Sequence, residues 1–318
     1  MLRVFIHHDG ALGDVLLSLP CFSALRSEGD LLQLAARPDV CRLLKETGWV
    51  DEAISSDSGL FAPLYSGVVD ARTGAFFGRF DRVFLFTVDP GSTLAAACRK
   101  AVPGTMTILT VPPMDDHMHA AVFRFLQLGR VAPFPGGPFL RPPRWSSDLV
   151  AALLKRSGYD GTGPLIAVHP GSGGRSKCWP LERYEALIGC MQRELDAFVV
   201  VLTGPAEDDL LMERMERFSR GTSRMIHLCN TELTIVAALL HGCELYVGND
   251  SGISHLAAAA GCPGVVLFGP TSPILWGPVG PAVSSLVSPS LANLEVGTVL
   301  QHAVMTLRMP LSSYAIQN

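Results

Sequence analysis

Nowhere in its 318 residues does the chain hold an apolar run near the roughly 18 residues of a membrane-spanning helix, so no transmembrane segment is expected. The N-terminus also lacks a signal-peptide pattern, because the short apolar run after Arg3 meets His7, His8 and Asp9 at once. There is no basic excess: 25 Lys and Arg against 29 Asp and Glu give a formal net charge of −4, which argues against a nucleic-acid partner. The eight cysteines form no CxxC pair, which leaves neither a zinc site nor a disulfide framework and reads as reduced thiols of a cytosolic protein. Two phosphate-binding signatures are missing as well, GxGxxG and GxxxxGK followed by Ser or Thr.

What is present is a globular composition, 48% hydrophobic and 17% charged, long enough for two domains each with its own core. A mean hydropathy of +0.31 is accounted for by alanine-rich helices packed on fully buried parallel strands, with peripheral contact at a membrane surface as the weaker alternative. Short apolar runs alternate with helix-length amphipathic segments, as parallel sheets with helical crossovers require. The expected strands of the first half are Arg3 to His7, Leu31 to Ala35, Arg82 to Phe86 and Met106 to Val111. Its expected helices are Val15 to Arg26, Asp39 to Thr47, Ser92 to Ala101 and His117 to Leu128. The proline-rich stretch VAPFPGGPFLRPPRW, Val131 to Trp145, reads as a linker, dividing the chain into domains 1–145 and 146–318.

The second half restarts the pattern with strands at Leu165 to His169, Phe198 to Thr203, Met225 to Leu228, Leu245 to Val247 and Val265 to Phe268. Helices are expected at Leu181 to Leu195, Asp208 to Arg220, Leu233 to His241 and Ile253 to Ala260, with a last one at Leu291 to Leu307. The fold class is therefore α/β, two doubly wound Rossmann-like domains, and such a pair is expected to place its ligand cleft at the carboxyl ends of both sheets.

GALGDVLLSLP, Gly10 to Pro20, has the shape of a phosphate loop but puts Asp14 at the helix entrance, where a carboxylate repels phosphate. Asp14 either caps the helix or faces the cleft and takes a proton from a substrate. Phosphate chemistry is better served in the second half. In LYVGNDSGISHLAAAAGCPGVVLFGP, Leu245 to Pro270, Ser251, Gly252 and the backbone N–H groups that follow can hold a diphosphate. His255 lies one turn in, and Asp250 suits a helix cap or a sugar hydroxyl. VHPGSGGRSKCWP, Val168 to Pro180, adds Ser172, Arg175 and Lys177 as donors, and VVVLTGPAEDD, Val199 to Asp209, adds Glu207 for ribose hydroxyls or for surface helix capping. MDDHMH, Met114 to His119, resembles a metal cluster, but its ligands are too close in sequence to converge, and Asp115 or Asp116 suits an N-cap.

In this order, GALGDVLLSLP, HPGSGGRSKCWP, VLTGPAEDD and GNDSGISHLAAAAGCPGVVLFGPTSP resemble the ADP-heptose:lipopolysaccharide heptosyltransferases, glycosyltransferase family 9. The resemblance spans most of the chain. It implies a GT-B fold, with the acceptor on the first domain and an ADP-sugar on the second, and an inverting, metal-independent transfer of a heptose or related sugar to a lipopolysaccharide core or other glycan. The chain has no DxD motif, the usual metal anchor of the other large glycosyltransferase architecture. On the family pattern Asp14 matches the general base and Lys177 the diphosphate-binding lysine. Ser172 matches the hydroxyl residue of the same loop, and Asp250, Ser251, Gly252 and His255 the helix start that holds the donor. His8 and Gly13 fall on the acceptor side, His8 standing where many members carry Arg or Lys. The resemblance implies no cofactor and no metal. The expected partners are a nucleotide sugar and a lipid-linked or oligosaccharide acceptor, met in the cytoplasm or at the cytoplasmic face of the inner membrane. The chain also lacks the cysteine and proline cluster that many members carry after the segment matching PTSPILWGPVG, and the acceptor half shows no basic cluster for a phosphorylated lipid core. Two other readings share the architecture: a nucleotide-sugar 2-epimerase, which needs no acceptor, and a non-catalytic nucleotide-sugar binding protein.

Overall fold

A computed structural model of the chain describes residues 2–26, 31–111, 117–129, 137 and 139–308, which fall into two units, Met1–Pro135 and Gly136–Asn318. The first unit runs β1 (Arg3–His8), α1 (Leu12–Leu16), α2 (Leu19–Arg26), β2 (Leu31–Ala36), α3 (Pro38–Glu46), β3 (Glu52–Ser55), α4 (Ala62–Tyr65), α5 (Ala71–Phe77), β4 (Arg82–Thr87), α6 (Thr93–Ala101), β5 (Thr105–Thr110) and α7 (Ala120–Leu126). The second runs α8 (Arg144–Arg156), β6 (Leu165–His169), α9 (Leu181–Leu195), β7 (Phe198–Thr203), α10 (Asp209–Arg220), β8 (Met225–Cys229), α11 (Leu233–Gly242), β9 (Leu245–Asn249), α12 (Gly252–Ala259), β10 (Gly264–Phe268), α13 (Pro273–Trp276), β11 (Val283–Val287) and α14 (Val296–Arg308).

Both sheets are parallel, with strand orders β3-β2-β1-β4-β5 and β11-β10-β9-β6-β7-β8. Every residue of β6, β7, β9 and β10 is buried, as continuous apolar runs covered by helices on both faces must be. In the first sheet Phe5 alone meets the rings of Phe61, Phe76, Phe77 and Phe80, so one aromatic cluster fixes α4 and α5 on β1.

In each order the winding reverses once, between β1 and β4 in the first sheet and between β6 and β9 in the second. At such a reversal the loops leaving the two strands diverge to opposite faces, and the gap at the carboxyl ends is where open α/β sheets take their ligands. Asp14 follows β1; Ser172 and Lys177 follow β6; Asp250 and Ser251 follow β9.

Several expectations are corrected. The single helix Val15 to Arg26 is two, broken at Leu17 and Ser18: Pro20 has no N–H, and the Ser18 hydroxyl bonds back to the Asp14 carbonyl at 3.0 Å. The boundary falls after Pro135, and Arg144 and Trp145 belong to α8, so the linker ends earlier than the prolines suggest. Pro143 sits at the N-cap of α8, where a proline starts a helix without costing a bond. Before it, Phe139 and Leu140 both donate backbone N–H bonds of 2.8 Å to Ala259, fixing that stretch to the second unit. Residues 131–136 and 138 of the linker lie outside the described residues. The last helix is a short turn at Leu291–Asn293 followed by α14, whose Val299 and Ala303 enter the second unit's core. Among the described residues, no helix is long and apolar enough to cross a membrane.

Candidate active site

In the first unit the turn after β1 leads straight into α1, whose N-cap, Ala11, makes no side-chain cap bond. Asp14 is therefore not spent on capping. Its Oδ1 accepts a hydrogen bond of 2.9 Å from Nη2 of Arg124, which arrives from α7, 110 residues away in sequence. The Arg124 side chain is 0% exposed and the Asp14 side chain 31%, so a buried cation holds a carboxylate that still reaches solvent. Arg124 also donates through Nε to the Val111 carbonyl at 2.8 Å, and through Nη1 to the Asp14 carbonyl and to Ser18 Oγ. Burial lowers its pKa and Asp14 pulls it back up, as a buried guanidinium with one close carboxylate should behave. Asp14 Oδ2 makes no hydrogen bond among the described residues, which leaves one oxygen able to take a proton.

His8, expected on the acceptor side, is wholly buried. It stacks on Phe86 with ring centroids 4.8 Å apart, and both ring nitrogens are occupied by the protein. No acceptor can touch it there, and the fixed positive charge of this turn comes from Arg124. Gly13 is the second residue of α1. Of the histidine-rich stretch, Met114 to Asp116 lie outside the described residues; the N-cap of α7 is His119, whose Nδ1 accepts from the Ala121 N–H at 3.2 Å.

In the second unit the loops after β6 and β9 are tied together by Asn249, the last residue of β9. Its amide donates to the Pro170 and Gly171 carbonyls at 2.8 and 3.2 Å. Its Oδ1 accepts from the Trp179 N–H at 3.0 Å and the Tyr184 hydroxyl at 2.9 Å. This clasp brings Ser172 and Lys177 to Asp250. Ser172 Oγ donates to the Asp250 carbonyl at 2.7 Å, and Lys177 Nζ lies 2.9 Å from Asp250 Oδ2. Thr271 donates to the same oxygen at 2.7 Å.

Asp250 is thus a buried counter-ion rather than a helix cap. The cap of α12 is Ser251, which accepts from the Ser254 N–H. Gly252 opens α12 and His255, buried, is its fourth residue. Lys177 is 34% exposed while its partner is 7% exposed, so the ammonium keeps a face toward solvent.

The loops after β6 and β7 border an open cavity of about 230 Å³ lined by Gly171, Ser172, Arg175, Cys178, Glu207 and Asp208, among others. Arg175 bridges its rim to Asp208 at 2.8 Å. Asp208, not Glu207, caps α10. The Glu207 side chain is 3% exposed and turned inward, 3.8 Å from His169 Nε2. A Cβ on Gly171 would come within 2.0 Å of Glu207 Oε1, so any larger residue there would have to displace the Glu207 carboxylate. Glu207 therefore lines this cavity and does not serve as a surface helix cap. Burial lowers the His169 pKa and Glu207 opposes the shift.

Residues 145–301 match the family described as glycosyltransferase family 9 (heptosyltransferase). Lipooligosaccharide heptosyltransferase 2 of Haemophilus influenzae is 30% identical over 145 residues, 43% of this chain and 41% of that protein, so the match spans less than half of that relative. The glycosyl transferase family 9 structure from Veillonella parvula superposes with a TM-score of 0.80 at 20% identity, over 96% of this chain and 97% of that one. The Escherichia coli heptosyltransferase WaaC with ADP gives 0.71 at 20% identity, over 96% and 100%. These structural likenesses give the fold, two Rossmann-like α/β domains of GT-B type. Residues 145–301, most of the second unit, are a glycosyltransferase family 9 (heptosyltransferase) domain, the family that the sequence motifs resemble.

Proposed function

We propose that this chain is a metal-independent, inverting heptosyltransferase that moves heptose from ADP-heptose to a lipopolysaccharide core or related glycan at the cytoplasmic face of the inner membrane. The observation that carries this reading is the Lys177–Asp250 pair beside the start of α12, inside the family 9 domain and at the reversal of the second sheet. A diphosphate arriving there meets two kinds of donor, Lys177 and the first-turn N–H groups of α12, and the Ser172 hydroxyl joins them by turning its hydrogen away from the Asp250 carbonyl. Lys177 then exchanges its bond to Asp250 for one to a phosphate oxygen, and the negative charge that grows as the anomeric bond breaks is met by groups already in place. Gly252 leaves room for the backbone to approach the diphosphate, and His255 supplies a ring N–H one turn further in. ADP in the E. coli relative supports adenine as the base.

The acceptor is the task of the first unit. A sugar hydroxyl is too weakly acidic to attack at neutral pH unaided, so Asp14 Oδ2 takes its proton as the new C–O bond forms, while Arg124 keeps Oδ1 and the carboxylate plane fixed. Attack from the face opposite the diphosphate inverts the anomeric centre. No metal is called for, because fixed cationic and N–H groups carry the leaving-group charge.

Calorimetry with ADP, UDP and GDP tests the donor site, and ADP is expected to bind tightest. Lys177→Ala should weaken ADP binding about 10- to 100-fold, the worth of one charge-assisted hydrogen bond. It should also cost about 2 kcal/mol of stability by stranding the Asp250 carboxylate, less than a fully buried pair because Lys177 is part exposed. Unchanged ADP affinity in a folded variant would contradict the assignment.

A further inference from the structure

His8 is a buried titratable group with no part in the chemistry above, and its hydrogen bonds define its protonation state. The Gly10 N–H points at His8 Nδ1 from 3.2 Å, so Nδ1 must carry the lone pair. The proton then resides on Nε2, 3.1 Å from Ser18 Oγ. Ser18 in turn donates its own hydrogen to the Asp14 carbonyl at 3.0 Å, and accepts from His8 and from Arg124 Nη1 at 3.2 Å. Every donor in this chain has one acceptor, and a second proton on the ring would break it at Gly10.

We propose that neutral His8 is a positioning residue for Asp14, acting through Ser18 and Arg124, and that protonating it disengages the proton-accepting carboxylate. The inference rests on the role of Asp14 given above. The groups facing the ring leave no place for a second positive charge. Arg124 from α7 is a cation within the same network; His7 precedes it on β1; Cys21 of α2 lies in the field of Arg124; and β4 offers the uncharged Phe86 ring. Asp14 is the one anion among them, and its Oδ1 is held by Arg124. In agreement, burial first, then Arg124, then His7, hold the His8 pKa well below the ordinary imidazole range. A depressed histidine favours the neutral form when folded, so its contribution to stability is full above the unfolded-state value and is lost as pH falls toward the folded one.

Nitrogen NMR of histidine-labelled wild-type protein tests the protonation state without reference to activity. His8 is expected to stay neutral with Nε2 protonated at pH values where free imidazole is charged; titration in the ordinary range, or a proton on Nδ1, would overturn the proposal. The kinetic arm follows heptosyl transfer from ADP-heptose against pH. His8→Leu should lower kcat about 10- to 100-fold with ADP affinity retained, the effect of a displaced catalytic group. His8→Gln, whose amide can replace the donor to Ser18, should keep kcat within about threefold and hold it to lower pH than the wild type. Full activity in His8→Leu, or an unchanged acid limb in His8→Gln, would reject the role. Absence of transfer by the wild type would instead count against the proposed function, and the NMR result would still decide the state of His8.

Discussion

Asp14→Asn is expected to lower heptosyl transfer by about 10²- to 10⁴-fold, the range over which a positioned general base acts, while leaving ADP affinity nearly unchanged. The substitution separates two properties of one side chain. Asparagine Oδ1 can still accept the bond of 2.9 Å from Arg124, so α1 and α7 stay joined and the turn keeps its shape. Its amide nitrogen, standing where Oδ2 was, has no lone pair for a proton. The groups proposed to hold the diphosphate are all in the second unit and are untouched, so ADP binding by calorimetry should match the wild type. Transfer retained in Asp14→Asn, or ADP binding lost with it, would show that the carboxylate is not the base.

Arg124→Leu should be the more damaging change to the fold. It removes four hydrogen bonds from a side chain with no exposure, leaving the Val111 and Asp14 carbonyls short of a donor and Asp14 without its counter-charge. Losing one partner of a buried ion pair costs about 3 kcal/mol, somewhat relieved here because Asp14 reaches water. In a domain of this size that is a fall in Tm of about 10 °C. Transfer should drop at least about 100-fold in whatever fraction stays folded, because the carboxylate is no longer oriented. Arg124→Lys should not restore it, since one ammonium cannot span the Asp14 carboxylate and the Val111 carbonyl as a planar guanidinium does. Thermal denaturation and transfer assays on both variants check this; a lysine variant with wild-type stability and rate would remove Arg124 from the account.

The contrast between Asp14 and Arg124 also marks how far the sequence could be read. Leu165–His169, Phe198–Thr203 and Leu181–Leu195 are expected and found with the same ends, because a wholly buried parallel strand must be a continuous apolar run and Pro180 marks a helix start. β3 and β11 escape notice because they are edge strands, short and only part buried, and EAIS and VSSLV carry little of that signal. α8 is hidden by the prolines that begin it. In the site, a residue that follows its own strand in a glycine turn announces itself, as Asp14, Ser172, Lys177 and Asp250 do. Arg124 does not, because its pairing with Asp14 crosses 110 residues and leaves no spacing to detect. Asn249 carries no such signal either, although its side chain ties two loops together. For the same reason His8 suggests a charge exposed to the acceptor, when burial against Phe86 and Arg124 keeps it neutral.

The central claim is tested most directly by incubating the purified wild-type chain with ADP-heptose and a heptose-free lipopolysaccharide core oligosaccharide in the presence of a metal chelator, and following the acceptor by mass spectrometry. The account predicts that the acceptor gains the mass of one heptosyl residue, that ADP is released in equal amount, and that NMR of the product shows the anomeric configuration inverted from the donor. An acceptor of unchanged mass under conditions where the chain binds ADP, or transfer that stops when the chelator is added, would contradict it.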